Sequence, residues 1–138
     1  MIVVDTTVWI DFFNNQDSRE KRALIALIES SRPIYLTELV LAEILRGMED
    51  EKDYQTARHA LSHFPVLKAK PIETYVHAAN LYRLCRAKGV TVRSTIDCLI
   101  AAICIENKAR LLHHDRDFDH LAQHTPLHLL NPTAILSQ

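Results

Sequence analysis

Four acidic residues in this sequence stand in apolar surroundings, where charged side chains are rare unless they are paired or have a function. Asp5 ends a short β-branched run, Glu43 interrupts an apolar helix, Asp97 opens another, and Asp115 follows a predicted strand. If the fold brings them together, their like charges need a proton or a cation between them. Carboxylates suit Mg²⁺ or Mn²⁺, and no Cys/His set competes for an ion. Such an ion activates water and stabilises charge on a phosphoryl oxygen, so this set best suits phosphodiester hydrolysis.

Taken singly, these acids also have ordinary structural explanations. Asp5 is followed by two threonines and suits the N-cap of a helix, where a side-chain oxygen accepts a backbone N–H. Glu43 could pair with Arg46, three residues further along an exposed helix face. Ser94 and Asp97 fit a capping box at the start of the apolar helix. A functional site is therefore the better interpretation only if the acids come together.

The size and composition of the chain fit a single domain over residues 1–138. Of these residues 48% are hydrophobic, which is enough for a core without disulfides or metal staples. Gly47 and Gly89 are the only glycines, which excludes the glycine-rich phosphate loops of nucleotide-binding folds. The net charge is −1, so a nucleic-acid partner would need a local basic patch rather than an overall basic field.

The three cysteines and the length of the apolar stretches indicate where in the cell the protein is located. Cys85, Cys98 and Cys104 are odd in number and show no CxxC spacing, which is typical of buried, reduced thiols. The longest apolar stretch, residues 98–105, is too short to span a bilayer. A strand that starts at Ile2 leaves no room for a signal peptide. We therefore expect a cytoplasmic protein that does not bind membranes.

Short strands alternate with helices along the chain, a pattern typical of an α/β fold with a mainly parallel sheet. In such a sheet the ends of the strands, and the loops that follow, share one edge. Strands are predicted at residues 2–4, 34–36, 66–67, 109–113 and 127–130. Helices are predicted at about residues 8–13, 19–30, 37–47, 50–64, 71–88, 95–107 and 117–123.

The segments that carry the four acids resemble those of the PIN-domain ribonucleases, in particular the VapC-type toxins of bacterial toxin–antitoxin pairs. They read VDTTVWID from Val4, LAEILRG from Leu41, VRSTIDCLIA from Val92 and LHHDRDF from Leu112. The third segment is the most specific of these. The ordered set carries the resemblance, which covers essentially the whole chain.

The resemblance implies a three-layer α/β/α sandwich with a central, mainly parallel sheet, and usually a homodimer. It implies that Asp5, Glu43, Asp97 and Asp115 form an acidic pocket for Mg²⁺ or Mn²⁺. Thr7 matches the small hydroxyl or amide residue that relatives carry two positions after the first aspartate, where it can help position metal-bound water.

The resemblance also implies an activity and partners. Members of the family cleave RNA endonucleolytically, often structured tRNA or rRNA, and a toxin of this type inhibits translation by cleaving tRNA, rRNA or mRNA. A small antitoxin from the adjacent gene inhibits the toxin by laying a helix across it and pushing a segment into the active site. We therefore expect an RNA substrate, a cognate antitoxin and a toxin–antitoxin hetero-oligomer.

The fourth acid has two candidates, because His114 stands where relatives often have Asn or Arg. Asp115 is preferred since it directly follows the predicted strand, and Asp117 is then a nearby or occasional ligand. Asp117 or Asp119 could instead cap the short helix that follows. Arg46 and Arg93, like Arg116, neighbour proposed ligands and could either hold RNA phosphate or pair with the acids.

Two other function classes remain open. A phosphoacceptor signalling domain also clusters aspartates around Mg²⁺ at strand ends, but it would have an acidic pair at the first strand, where Asp5 is followed by threonines. A catalytically silent PIN-like module would bind its partner without cleaving it, and the intact acids argue against it. The pairs His59/His63 and His120/His124 lack a third metal ligand and are predicted to lie on solvated helix faces.

Overall fold

Five parallel strands form one sheet in the computed structural model, which describes all residues from Met1 to Gln138. The strands are β1 (Ile2–Val4), β2 (Ile34–Thr37), β3 (Val66–Leu67), β4 (Arg110–Leu112) and β5 (His128–Leu129). Their order across the sheet is β3-β2-β1-β4-β5. Each neighbouring pair is parallel, so every strand runs toward the same edge.

Eight helices follow or connect the strands: α1 (Thr6–Phe13), α2 (Arg19–Glu29), α3 (Glu38–Arg46), α4 (Glu51–Leu61), α5 (Glu73–Ala87), α6 (Thr95–Glu106), α7 (Arg116–His124) and α8 (Pro132–Leu136). Their mutual contacts fall mainly into two groups, one of α1 to α4 with α8 and one of α5 to α7. The predicted α/β/α fold with a parallel sheet is confirmed. None of these helices combines the length and apolar character needed to cross a bilayer.

The core lies around β1 and α6. All three residues of β1 are buried, because this strand is paired on both sides by β2 and β4. Helix α6 is buried along residues 98–104, as its nearly continuous apolar sequence predicts. The three cysteines are all buried and unpaired, as expected. Burial raises the pKa of the Cys98 and Cys104 thiols to about 11 and about 12, so neither is a nucleophile at neutral pH.

Two element boundaries differ from the prediction, and the structure contains one helix that the sequence does not predict. Helix α5 begins at Glu73 rather than at Pro71, because Ile72 adopts a positive φ of 66° that interrupts the helical path. Strand β4 ends at Leu112, because the His114 amide donates to the Thr7 hydroxyl on α1 instead of extending the sheet. Helix α8 was not predicted, since its five residues are too few to show a helical period.

The carboxyl edge of the sheet collects the loops that carry the candidate residues. Asp5 directly follows β1, and Thr37 at the end of β2 caps α3 by accepting the Val40 amide at 3.1 Å. Asp115 lies three residues beyond β4, so it does not directly follow its strand as predicted. Open parallel sheets bind ligands beyond this edge.

Candidate metal centre and active site

One cavity of about 310 Å³ at the carboxyl edge contains all four acids that the sequence singled out. It is lined by Asp5, Glu43, Asp97 and Asp115, together with Thr6, Thr7, Ile10, Arg46 and Ser94. The four carboxylates come from the starts of α1, α6 and α7 and from the middle of α3. The parallel order of the strands is what brings these distant segments together.

Asp5 is both a helix cap and a wall of the cavity. It is only 3% exposed, and its Oδ2 accepts from the Thr7 amide at 3.2 Å and the Thr7 hydroxyl at 2.7 Å. Burial raises the pKa of Asp5, the bonds from Thr7 oppose that rise, and the nearby Glu43 adds to it. The N-cap explanation is therefore right, and it does not exclude a role in the cavity.

Glu43 is held by a threonine rather than by an arginine. The Thr6 hydroxyl donates to Glu43 Oε1 at 2.7 Å and so ties the start of α1 to α3. Arg46 forms no ion pair with Glu43 or with any other acid. The alternative of a surface Glu43–Arg46 pair is wrong, and Arg46 lines the cavity without an acidic partner.

Asp97 has no hydrogen bond to the protein. Ser94 caps α6 by accepting the Ile96 amide at 3.1 Å, but the Ser94 amide does not donate to the Asp97 carboxylate, so the capping box is incomplete. Burial raises the pKa of Asp97 to about 7, and the charges of Asp5, Asp115, Glu43 and Asp117 add to the rise. An unsatisfied carboxylate among like charges is the environment that a bound cation relieves.

Asp115 and Asp117 have different surroundings. Asp115 is the N-cap of α7, where its Oδ1 accepts the Asp117 amide at 3.0 Å, so neither Asp117 nor Asp119 has that role. Asp117 is buried and accepts from Arg93 through the backbone amide at 3.3 Å and Nε at 3.0 Å. Arg93 also reaches Asp115 Oδ1 at 3.3 Å through Nη2. Arg93 therefore joins the loop before α6 to the start of α7.

The donor set fits a hard divalent cation. Oxygen atoms of Asp97, Asp115 and Asp117 lie within 4.8 Å of one another, and Asp5 and Glu43 face the same cavity as Asp97 and Asp115. Every charged group available as a ligand here is a carboxylate, which Mg²⁺ and Mn²⁺ prefer over softer donors. An acidic cluster able to hold such an ion is thus present in the chain.

The structure adds Thr6, Asp11 and His114, whose contacts the sequence did not predict. Asp11 Oδ2 lies 3.0 Å from both Ser18 Oγ and His114 Nδ1. The His114 amide donates to the Thr7 hydroxyl, which in turn donates to Asp5. A threonine directly after a strand-end acid was the only available sign of the Thr6 contact, since its partner lies 37 residues away.

Comparison with known proteins identifies the family of this chain. A family model described as the PIN domain matches residues 2–123. Ribonuclease VapC11 of Mycobacterium tuberculosis is 37% identical over 130 residues, covering 92% of this chain and 96% of that protein. The chain therefore belongs to the PIN-domain family, with VapC ribonucleases among its relatives.

Solved structures support the same fold at low sequence identity. The structure of DNA-bound VapBC from Salmonella typhimurium matches with a TM-score of 0.75 and 14% identity, covering 96% of this chain and 99% of that one. Mycobacterium tuberculosis VapC20, described as a Sarcin-Ricin loop cleaving toxin, matches with a TM-score of 0.65 and 20% identity, covering 86% and 93%. These likenesses extend over nearly the whole chain.

Proposed function

We propose that this protein is a metal-dependent endoribonuclease that acts as the toxin of a toxin–antitoxin pair. The observation that carries the proposal is the cavity where Asp5, Glu43, Asp97 and Asp115 meet. Asp97 lacks any hydrogen bond there, and burial among like charges raises its pKa to about 7. The relatives named as ribonucleases supply the reaction class.

The side chains of the cavity have separate tasks in this mechanism. Asp5, Glu43, Asp97 and Asp115 would hold Mg²⁺ or Mn²⁺, which supplies positive charge for the scissile phosphate and lowers the pKa of a bound water. Thr7 orients Asp5 through its 2.7 Å hydrogen bond, and Thr6 orients Glu43 in the same way. Asp5 and Glu43 would therefore be fixed in place before RNA arrives, which reduces reorganisation during the reaction.

Two arginines are the candidate contacts for the RNA backbone. Arg46 is exposed at the cavity and has no acidic partner, so its guanidinium can bind a phosphate without breaking an ion pair. Arg93 is held by Asp115 and Asp117, which leaves its position fixed and most of its side chain exposed. The two arginines would supply the local positive charge that a protein with a net charge of −1 needs to bind RNA.

Partners follow from the relatives and from one exposed surface. The solved relatives include VapBC complexes, so we propose that a small antitoxin from the adjacent gene binds and inhibits this protein.

We also propose a homodimer. Ile72, Tyr75 and Val76, near the start of α5, are each more than half exposed, and an apolar patch of this kind is typical of an interface.

The sharpest test replaces Asp97 with asparagine, because this carboxylate makes no hydrogen bond that the fold would lose. Purified protein should cleave cellular RNA with Mg²⁺ or Mn²⁺ and not with EDTA, and Asp97→Asn should reduce cleavage at least a hundredfold, on the order seen when a key catalytic group is removed. Asp53→Asn on the exposed face of α4 is the matched control. Equal cleavage by Asp97→Asn and the parent would refute the metal-pocket proposal.

Expression in cells tests the toxin role separately. The parent protein should arrest growth when expressed alone, and co-expression of the neighbouring gene product should relieve the arrest. Asp97→Asn should not arrest growth at the same protein level. Absence of arrest together with absence of RNA cleavage would favour a catalytically silent interaction module. Sequencing of RNA ends during a short induction would identify the target.

A further inference from the structure

A second cleft, of about 460 Å³, opens at the carboxyl edge beside the acidic cavity. Its walls come from the starts of α2, α7 and α8 and from the segment after β4. Asp115 lines both spaces, so the cleft and the acidic cavity meet at this residue. A volume of this size is ordinary for a small-molecule or nucleotide site.

The cleft contains a buried carboxylate with one free oxygen. Glu20 is only 7% exposed, and its Oε1 accepts from Arg19 Nη2 at 3.2 Å. Its Oε2 lies 3.9 Å from His114 Nε2, too far for a hydrogen bond, and accepts from no other group. Glu20 Oε2 is not among the fully buried atoms without a partner, so it keeps contact with solvent and remains free to accept a hydrogen bond. A ligand that carries an N–H group can therefore donate to this oxygen from within the cleft.

The other walls suit a flat, polar ring. Leu129, Leu130 and Pro132 form the apolar part of a lining whose other residues are polar or charged, and the exposed Arg116 has no acidic partner. Nucleic-acid bases in single-stranded loops are bound in this way, against apolar, aromatic or guanidinium surfaces, with polar groups at their edges. A carboxylate is the standard acceptor for the amino group of a base.

We propose that this cleft binds the base of a nucleotide next to the scissile phosphate, and that Glu20 selects a base with an exocyclic amino group over uracil. The inference rests on the proposed nuclease function, since it places the scissile phosphate at the acidic cavity. With the phosphate there, an adjacent nucleotide reaches the cleft across Asp115. Arg116 holds the RNA from the rim without distinguishing bases.

The test compares cleavage-site sequences from total cellular RNA digested with Mn²⁺, using sequencing of the newly formed ends. Parent protein should show uracil depleted at one position flanking the cut. Glu20→Gln places an amide N–H₂ in the cleft, which can donate to a uracil carbonyl. This variant should therefore raise the uracil share at that position about tenfold relative to the other bases, the value of one hydrogen bond to a charged group.

Two further variants separate specificity from affinity. Glu29→Gln, at the exposed end of the same helix, should keep the parent profile and rate. Arg116→Ala should lower the rate at all sites alike and leave the base preference unchanged. Thermal unfolding of each variant shows whether it is folded, and cleavage of any site by Glu20→Gln shows that the metal centre still works.

The outcomes distinguish the two proposals. If the parent cleaves RNA but Glu20→Gln keeps its base profile, the cleft proposal is wrong and the nuclease proposal stands. If Glu20→Gln instead weakens binding of the antitoxin and leaves the profile unchanged, the cleft receives a protein segment and not a base. If the parent cleaves nothing with Mn²⁺, the proposed function itself fails.

Discussion

Asp97 carries an electrostatic cost that the rest of the protein does not offset. It is drawn into the cavity by the first turn of the buried helix α6, and no donor reaches its carboxylate. Arg93 compensates Asp117, whereas the bonds from Thr7 only partly offset the burial of Asp5, whose pKa stays raised. Among the four acids of the cavity, only Asp97 has no hydrogen-bond donor, so a single substitution at this residue tests the electrostatic cost without removing a hydrogen bond.

Asp97→Asn should stabilise the metal-free protein at pH 8. The folded state binds the Asp97 proton more tightly than the unfolded chain, so the free energy of unfolding of the parent falls as pH rises from 3.8 through about 7. Asparagine removes this loss, and we expect a gain of about 1–2 kcal/mol after allowance for solvent screening. Urea unfolding in EDTA at pH 4 and pH 8 measures it.

The pH dependence of the difference is the diagnostic feature. The difference between the variant and the parent should be much smaller at pH 4, because Asp97 is then protonated in the folded parent and close to its unfolded pKa of 3.8. Asp97 is not under electrostatic strain if the variant is less stable than the parent at pH 8. The same conclusion holds if the free energies of unfolding of variant and parent differ by the same amount at both pH values. Asp53→Asn is again the control for the loss of a charge on an exposed surface.

Helices α5 and α6 are joined by a small polar cluster away from the candidate site. The Thr74 hydroxyl donates to Glu106 Oε1 at 2.8 Å and accepts from the Lys70 amide, and His77 Nδ1 lies 2.8 Å from Glu106 Oε2. Burial raises the pKa of Glu106, but the bonds from His77 and Thr74 outweigh it and lower the pKa below 4.5. The start of α5 is thereby fixed to the end of α6.

Glu106→Ala should destabilise the fold by about 2 kcal/mol at pH 7, because the buried Thr74 hydroxyl and His77 lose their acceptor. A lowered pKa stabilises the folded state fully above the unfolded value of 4.5, and this contribution is lost as pH falls below it. The gap between variant and parent should therefore narrow at pH 3.5. Denaturant unfolding at both pH values checks this, with the exposed Glu49→Ala as control.

On the scale of the whole molecule, folding builds the cation site. The four carboxylates are separated by up to 110 residues in the chain and share one cavity only in the folded state. A cation that binds this cavity binds the folded protein and not the unfolded chain. Cation binding and global stability are therefore linked.

Mg²⁺ or Mn²⁺ should raise the melting temperature of the parent protein. At about 100 times the dissociation constant the added stability is about 2.7 kcal/mol, which corresponds to roughly 10 °C for a domain of this size. Calorimetry in EDTA and in a series of Mn²⁺ concentrations measures the shift. Asp97→Asn should respond much less, and an equal response would place the stabilising ion elsewhere.

Local residue patterns alone determined much of this protein. Alternating short strands and helices predicted the parallel α/β fold, since hydrophobic period and caps are local properties. Ser18 and Thr37 are residue types that favour N-caps, and they cap α2 and α3 in the structure. The apolar sequence of α6 showed that this helix is buried. The sequence likewise indicated the candidate site residues Asp5, Glu43, Asp97 and Asp115, because acidic side chains in apolar surroundings are rare unless they are paired or functional.

Only the tertiary structure decided which groups meet. The Thr6–Glu43 bond, the Arg93 contacts to Asp115 and Asp117, and the opening of the Glu20 cleft depend on strand order and register, which short segments do not encode. Glu20 shares a helix face with Leu24 and Leu27, the one local sign that it is buried. The sequence determines that these residues are acidic. The distances between them are determined by the parallel sheet, which brings five strand ends to one edge.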